Sequence, residues 1–263
     1  MSSSDLDDFV NDGLLLVRRL LTPREVEVAR NAIDAVLDSP GPLAKVASGP
    51  DDPGLFVEDF CRWTDISDVE FLARTSAAGE VAARLMQSTR VRFYHDHVLV
   101  KESSTRQRTP WHQDQPYYNV DGQGVSAWIP VDPVPEEGGL ELLAGSHRGA
   151  WKLPRSFMDG QARWFPENSL EELPDIEANR AAFDIRHFAM EPGDAIFFDF
   201  LTVHGAPGFT FEGRRRVLSL RYLSENARHA PRKWATSPPF EGLEQQLEAG
   251  APMDHPLFPV VWP

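Results

Sequence analysis

Thr109-Pro110-Trp111-His112-Gln113-Asp114-Gln115-Pro116-Tyr117-Tyr118 is the run from which the rest of the chain is read. His112 and Asp114 are two residues apart, so an extended strand would carry both side chains on one face. An imidazole and a carboxylate on one face can share a metal ion, but two ligands hold it loosely. The third is sought in Phe198-Asp199-Phe200-Leu201-Thr202-Val203-His204-Gly205, an apolar run ending in His-Gly, as if a buried strand delivered the imidazole to an opening. Two histidines and one carboxylate make the facial triad of non-heme Fe(II) chemistry, which leaves metal positions open. His147, in Gly145-Ser146-His147-Arg148-Gly149, is the rival ligand. It ranks below His204 because such a loop histidine is ordinarily held by local hydrogen bonds at a rim.

A lone His-x-Asp arises by chance in many chains, and His112 alone reads as a hydrogen-bonded structural histidine. The weight comes from Arg214-Arg215-Arg216, which follows His204 by about ten residues and opens the strand-like run Val217 to Leu223. A guanidinium at that strand start can grip a carboxylate bidentately. Arg215 shares its face with Val217, Ser219 and Arg221, which leaves Arg214 and Arg216 to solvent. Arg221 reads as a contact to an anionic substrate or as half of a structural ion pair, and the second is preferred.

Pro110 to Asp114, Gly138 to Gly149, Pro192-Gly193-Asp194, His204-Gly205 and Arg215, taken in this order, resemble the phytanoyl-CoA dioxygenase family of Fe(II)/2-oxoglutarate oxygenases. The resemblance runs from Phe9-Val10-Asn11-Asp12-Gly13 to Phe258-Pro259-Val260-Val261-Trp262. It implies Fe(II) on His112, Asp114 and His204, with 2-oxoglutarate chelating the metal and its far carboxylate on Arg215. Dioxygen takes the last position. It also places Gln113 and Trp128 at the cosubstrate, and His97 at either cosubstrate or substrate. From the residues alone, Trp128 is a core aromatic and His97 a structural histidine. The family often has a Ser two residues after the distal His; Ala206 stands there, so Arg215 must carry more of the anchoring. The implied reaction is hydroxylation of an aliphatic C–H, with succinate and CO2 as co-products. A carboxylate at position 114, where related halogenases have a small residue, points away from halogenation.

The length of 263 residues and 41% hydrophobic content suit one domain with a proper core. Twenty-six basic against 40 acidic residues give a net charge of −14, which argues against nucleic acid and anionic membranes as partners. That charge also disfavours an anionic CoA ester, so a small or medium-sized polar metabolite is the expected substrate. Cys61 is the single cysteine, so no intrachain disulfide or thiolate zinc cluster can form. With no basic-then-apolar leader and no apolar run long enough to span a bilayer, a cytoplasmic location is expected.

Thr22-Pro23-Arg24-Glu25 is a helix start, with Thr22 as N-cap, Pro23 at the first position and Glu25 closing a capping box. That helix is expected to run to about Asp38, after a short helix end, a Gly13 turn and a strand. Ser39 to Gly54 reads as a loop, taken as a surface excursion in preference to a border of the site. Ala77 to Gln87 reads as a helix. Val91 to Lys101 reads as a strand with Phe93, His95, His97, Leu99 and Lys101 on one face. Trp111 faces away from His112, into packing. Further strands are expected over Val125 to Val131, Leu140 to Leu143, Phe183 to Met190 and Ala195 to Phe200. Residues 150 to 184, polar and dotted with Trp151, Phe157, Trp164 and Phe165, read as a lid-like insertion. The tail from Asn226 should wrap the exterior. Short strands after N-terminal helices predict a mainly β chain with flanking helices, folded as one domain over 1–263 around a double-stranded β-helix, a cupin-like jelly-roll. Two rivals share that shell: a cupin-like Zn or Mn enzyme, and a non-catalytic binding module. The sequence leaves the oligomeric state open.

Overall fold

Apolar runs in this chain lack strict alternation because both faces of their sheet are covered. The computed structural model describes residues 2–154, 165 and 170–263. The N-terminal half contains α1 (Ser3–Asp12), β1 (Leu14–Val17), α2 (Pro23–Asp38), β2 (Lys45–Val46), β3 (Phe56–Phe60), α3 (Ser67–Thr75), α4 (Ala78–Leu85), β4 (Val91–Glu102) and β5 (Thr109–His112). There follow β6 (Val120–Asp121), β7 (Gly124–Pro130), β8 (Glu141–Leu143), β9 (Ile185–Arg186), β10 (Ala195–Asp199), β11 (His204–Ala206), β12 (Arg214–Ser224), β13 (Arg228–His229), α5 (Leu243–Gln246) and β14 (Val260–Trp262).

Two antiparallel sheets face one another, as a double-stranded β-helix requires. The larger runs β1-β10-β7-β12-β4-β3-β2, with β14 also on β4; the smaller runs β5-β11-β8-β9. The larger sheet buries its outer face under the helices. Ala29, Ile33 and Val36 of α2 and Leu72 of α3 pack on Val98, Val100, Val125, Ala127, Ile129, Leu218 and Leu220. Its inner face carries the residues of opposite parity: Trp128, Ile196, Phe198 and Val217 meet Leu140, Leu142 and Ala206 of the smaller-sheet side.

Local chemistry explains the N-terminal elements. Thr22 accepts from the Glu25 amide, and the Glu25 carboxylate accepts from the Thr22 amide at 2.8 Å, the capping box read from the sequence. Gly13 ends α1 at φ +75°, and a Cβ there would stand 2.3 Å from His147 Nδ1, so only glycine fits this turn.

Four expectations need correction. The stretch Ala195 to His204 is not one strand: β10 ends at Asp199, and after a turn His204 opens β11 in the other sheet. A bulge in β12–β4 pairing, where Arg221 opposes His95 and Tyr222 opposes Phe93, breaks the alternation. Phe93 therefore lies with Val98 and Val100 against the helices, not on the face of His97. Phe183 to Met190 is strand only at Ile185–Arg186. Arg216 is buried, not solvated: its Nε and Nη2 donate to Asp132 at 3.0 and 2.7 Å, and Nη1 to Asp34 at 2.9 Å. The expected lid over 150–184 lies partly outside the described residues, Phe157 and Trp164 among them.

Candidate active site

His112 and His204 are directly opposed Cα partners across β5 and β11, and their ring centroids stand 4.2 Å apart. The carbonyl of Pro110 lies 2.8 Å from His112 Nδ1, and that of Thr202 2.9 Å from His204 Nδ1. A carbonyl only accepts, so each Nδ1 donates to it and each Nε2 is the ring nitrogen turned toward Asp114. Strand β5 stops at His112, so the same-face strand geometry expected for His-x-Asp does not apply. Asp114 has helical backbone angles (φ −72°, ψ −40°) at the start of a one-turn 3-10 helix. That turn still brings Asp114 Oδ1 to 3.7 Å from both Nε2 atoms. One donor atom from each of the three residues fits within 4.8 Å of the others, with all three side chains buried.

The carboxylate is held by the opposite sheet. Ser126 Oγ of β7 donates to Asp114 Oδ2 at 2.7 Å, and Arg221 Nη2 of β12 lies 3.6 Å from the same oxygen. Oδ2 is thus occupied and Oδ1 presented. Burial alone would raise the Asp114 carboxyl, but Arg221 and the two imidazoles outweigh it and hold it well below the usual range. Burial, reinforced by His112, pushes His204 down to about 3, so it is a neutral ligand donor at ordinary pH. Two imidazoles and a carboxylate, oriented by second contacts, suit a divalent first-row metal.

A cavity of about 290 Å³ opens beside this cluster, between the sheets. At its inner end lies Arg215, 4% exposed. It donates to the Gly138 carbonyl, and its guanidinium sits 5.7 Å from the Trp128 ring and 5.8 Å from the Phe209 ring. Among the described residues no carboxylate pairs with it, and burial pushes it down to about 10. An unpaired buried guanidinium is costly unless a ligand neutralises it.

Trp128, His97 and Ala206 line the cavity as well. Gln113 does not belong to this wall. It faces opposite to its neighbours, where its Nε2 donates to the carbonyl of Leu201 at 2.8 Å and its Oε1 accepts from the Lys152 amide at 2.7 Å. His147 is remote from the cluster, its Nε2 3.2 Å from the Val10 carbonyl. Arg221 takes the ion-pair role and also contacts the Tyr118 hydroxyl at 3.1 Å. The Ser39–Gly54 segment borders the site after all, since Lys45, Val46 and Ala47 line the cavity. Four contributors escaped the sequence reading: Ser126, Lys45, Glu58 and Phe60. Ser126 shares the parity of Trp128 and was within reach of that signal. Glu58, between Phe56 and Phe60 on one strand face, is an acid placed where alternation demands burial.

Residues 9–217 match the model of the phytanoyl-CoA dioxygenase (PhyH) family. The chain belongs to the phytanoyl-CoA dioxygenase family. A probable phytanoyl-CoA dioxygenase of Caenorhabditis elegans is 22% identical over 209 residues, 77% of this chain and 60% of that protein. The chain spans less than two thirds of the length of the curated relatives it matches. Among solved structures, the alpha-ketoglutarate-dependent carbocyclase SnoK from nogalamycin biosynthesis superposes with a TM-score of 0.76 at 22% identity, covering 99% of this chain and 96% of that one. The epimerase SnoN in complex with Fe3+, alpha ketoglutarate and nogalamycin RO superposes at 0.79 with 20% identity, covering 98% and 97%. The chain therefore shares its fold with these structures despite low sequence identity.

Proposed function

We propose that the protein is a non-heme Fe(II)/2-oxoglutarate-dependent dioxygenase that hydroxylates an aliphatic C–H of a small or medium-sized metabolite. One observation carries the reading: three metal-ligating side chains and a guanidinium with no carboxylate partner among the described residues share one cavity. His112, Asp114 and His204 would hold iron on one face and leave its cavity side for ligands. Iron with 2-oxoglutarate and dioxygen supplies the oxidising power, while the chain supplies binding, orientation and exclusion of water. Arg215 would receive the far carboxylate of 2-oxoglutarate, a charge-assisted contact of roughly 1.5–3 kcal/mol. Ala206 offers no hydroxyl, so that guanidinium is the principal anchor. Trp128 and Phe209 enclose it on its apolar sides and keep water from it.

The carboxylate of Asp114 supports oxidation without halogenation, because it fills the position a halide would need. The fold neighbours include a carbocyclase and an epimerase, so the same shell serves several oxidative outcomes. Arg215, a buried guanidinium lining the same cavity, also favours this reading over a cupin-like Zn or Mn enzyme, because it can neutralise the far carboxylate of a diacid. Among the described residues no helix is long and apolar enough to cross a membrane.

The test is an anaerobic titration with Fe(II) and 2-oxoglutarate, followed by a metabolite screen for succinate release. Saturable binding of both and substrate-dependent succinate are expected. Failure of 2-oxoglutarate to bind the iron-loaded protein would remove the proposal.

A further inference from the structure

The cavity has a second polar feature, away from the metal cluster, that the chemistry above leaves unused. Glu58 projects from β3 into the cavity and is 5% exposed. Two polar groups approach it at long range for a hydrogen bond: Lys45 Nζ stands 3.8 Å from Oε1, and His97 Nε2 stands 3.4 Å from Oε2. The second contact is not an aligned hydrogen bond, since His97 Nε2 has no hydrogen-bond partner. His97 cannot turn to improve it. Its ring is stacked on Phe60, with centroids 3.9 Å apart and planes 20° from parallel, and its Nδ1 lies 3.4 Å from Arg221 Nη2.

A buried carboxylate normally accepts several hydrogen bonds, because its desolvation is otherwise uncompensated. Burial raises the Glu58 carboxyl, but His97 and Lys45 outweigh it and keep it ionised. Glu58 therefore presents to the cavity a charged acceptor whose two neighbouring donors, Lys45 and His97, stand at 3.8 and 3.4 Å and leave it without a close hydrogen bond. Resting on the oxygenase reading, we propose that Glu58 is the substrate-recognition residue, and that it accepts a hydrogen bond from a neutral hydroxyl carried on an otherwise apolar substrate.

Charge decides the class of head group. An anionic group gains no net attraction from the Lys45–Glu58 pair and would meet the carboxylate. An ammonium would meet the Lys45 cation 3.8 Å from the same carboxylate, so the site is already neutral as a pair. A hydroxyl adds no charge and supplies a closer donor than either neighbour. The surrounding wall of Val46, Phe60, Leu99 and Tyr117 suits an alicyclic or aromatic frame.

The experiment uses three probes on one skeleton, 2-decalol, 2-decalylamine and decalin-2-carboxylate, with the full chain loaded with Fe(II) and 2-oxoglutarate under anaerobic conditions. Binding is read by calorimetry. The alcohol should bind best to the wild type. Glu58→Leu should weaken it roughly tenfold or more, the worth of one hydrogen bond to a charged group. The isosteric Glu58→Gln, which retains an acceptor and the shape of the wall, should weaken it less. The proposal is overturned if the alcohol fails to bind, if the amine or the carboxylate binds tighter, or if the alcohol loses no affinity in Glu58→Leu. Separate binding of Fe(II) and 2-oxoglutarate to the wild type distinguishes the failures. Without it the oxygenase reading falls; with it, only the role of Glu58 does.

Discussion

Replacing Arg215 with methionine should leave the unliganded protein nearly as stable as the wild type while destroying its grip on 2-oxoglutarate. Burial depresses the guanidinium from its ordinary value to about 10, and at about 1.4 kcal/mol per unit this is a penalty of about 3 kcal/mol for holding the charge. The sign follows from the folded value lying below the unfolded one for a base. The penalty is complete below pH 10 and is relieved only above it, so it is constant across the neutral range. Against it stand the bond to the Gly138 carbonyl and the contacts with Trp128 and Phe209, together worth about 2–3 kcal/mol. The two nearly cancel, so Arg215→Met should shift unfolding free energy by less than about 1 kcal/mol. Removing one half of a buried ion pair would instead cost roughly 3–5 kcal/mol. Urea unfolding of wild type and variant, with and without saturating 2-oxoglutarate, measures both quantities. The wild type should gain stability from the diacid by mass action, and the variant should gain none. A destabilisation of several kcal/mol without ligand would refute the reasoning, because it would mean that the guanidinium has a native counter-charge.

Ser126→Ala removes the 2.7 Å bond to Asp114 Oδ2 and should lower metal affinity about 10–100-fold with the fold intact, as a Co(II) titration would show. Asp114→Ala should abolish succinate release in a coupled assay; retained turnover would exclude Asp114 as a ligand. Burial pushes His97 down to about 4 from 6.5, so its stabilising effect is complete above pH 6.5 and is lost as pH falls towards 4, to the extent of about 3 kcal/mol. His97→Gln should flatten that part of the stability–pH curve in metal-free protein, and an unchanged curve would count against a neutral buried imidazole. Gly13→Ala should destabilise by more than about 1 kcal/mol in thermal or urea unfolding, since the turn has φ +75° and a Cβ would meet His147.

The metal cluster was legible because its chemistry survives in residue types: His112, Asp114 and His204 are unusual in apolar surroundings, and Arg215 stands at a strand start. Its geometry was not. The turn that aims Asp114, and the crossing from one sheet to the other before His204, depend on pairing partners far away in the chain. Capping at Thr22 and Glu25 is local, and it was read correctly. The bulge that moves Phe93 to the helix face leaves no local mark, since it arises where eleven residues of β12 must match a longer partner in β4. Gln113 shows the limit of resemblance. Its neighbours match the family's pattern, yet its amide is spent on the backbone of Leu201 and Lys152. Glu58 and Lys45 went unnoticed because neither belongs to a motif; only the closing of β2 and β3 over the sheet edge brings them to the cavity.

The two imidazoles belong to the smaller sheet, while Ser126 and Arg221, which clamp the acid between them, belong to the larger. An ion bound there would act as a rivet through the sandwich. Its departure and the parting of the layers become linked events, so amide exchange along Thr109–His112 and His204–Ala206 should slow in proportion to metal occupancy, even with no cosubstrate or oxygen present.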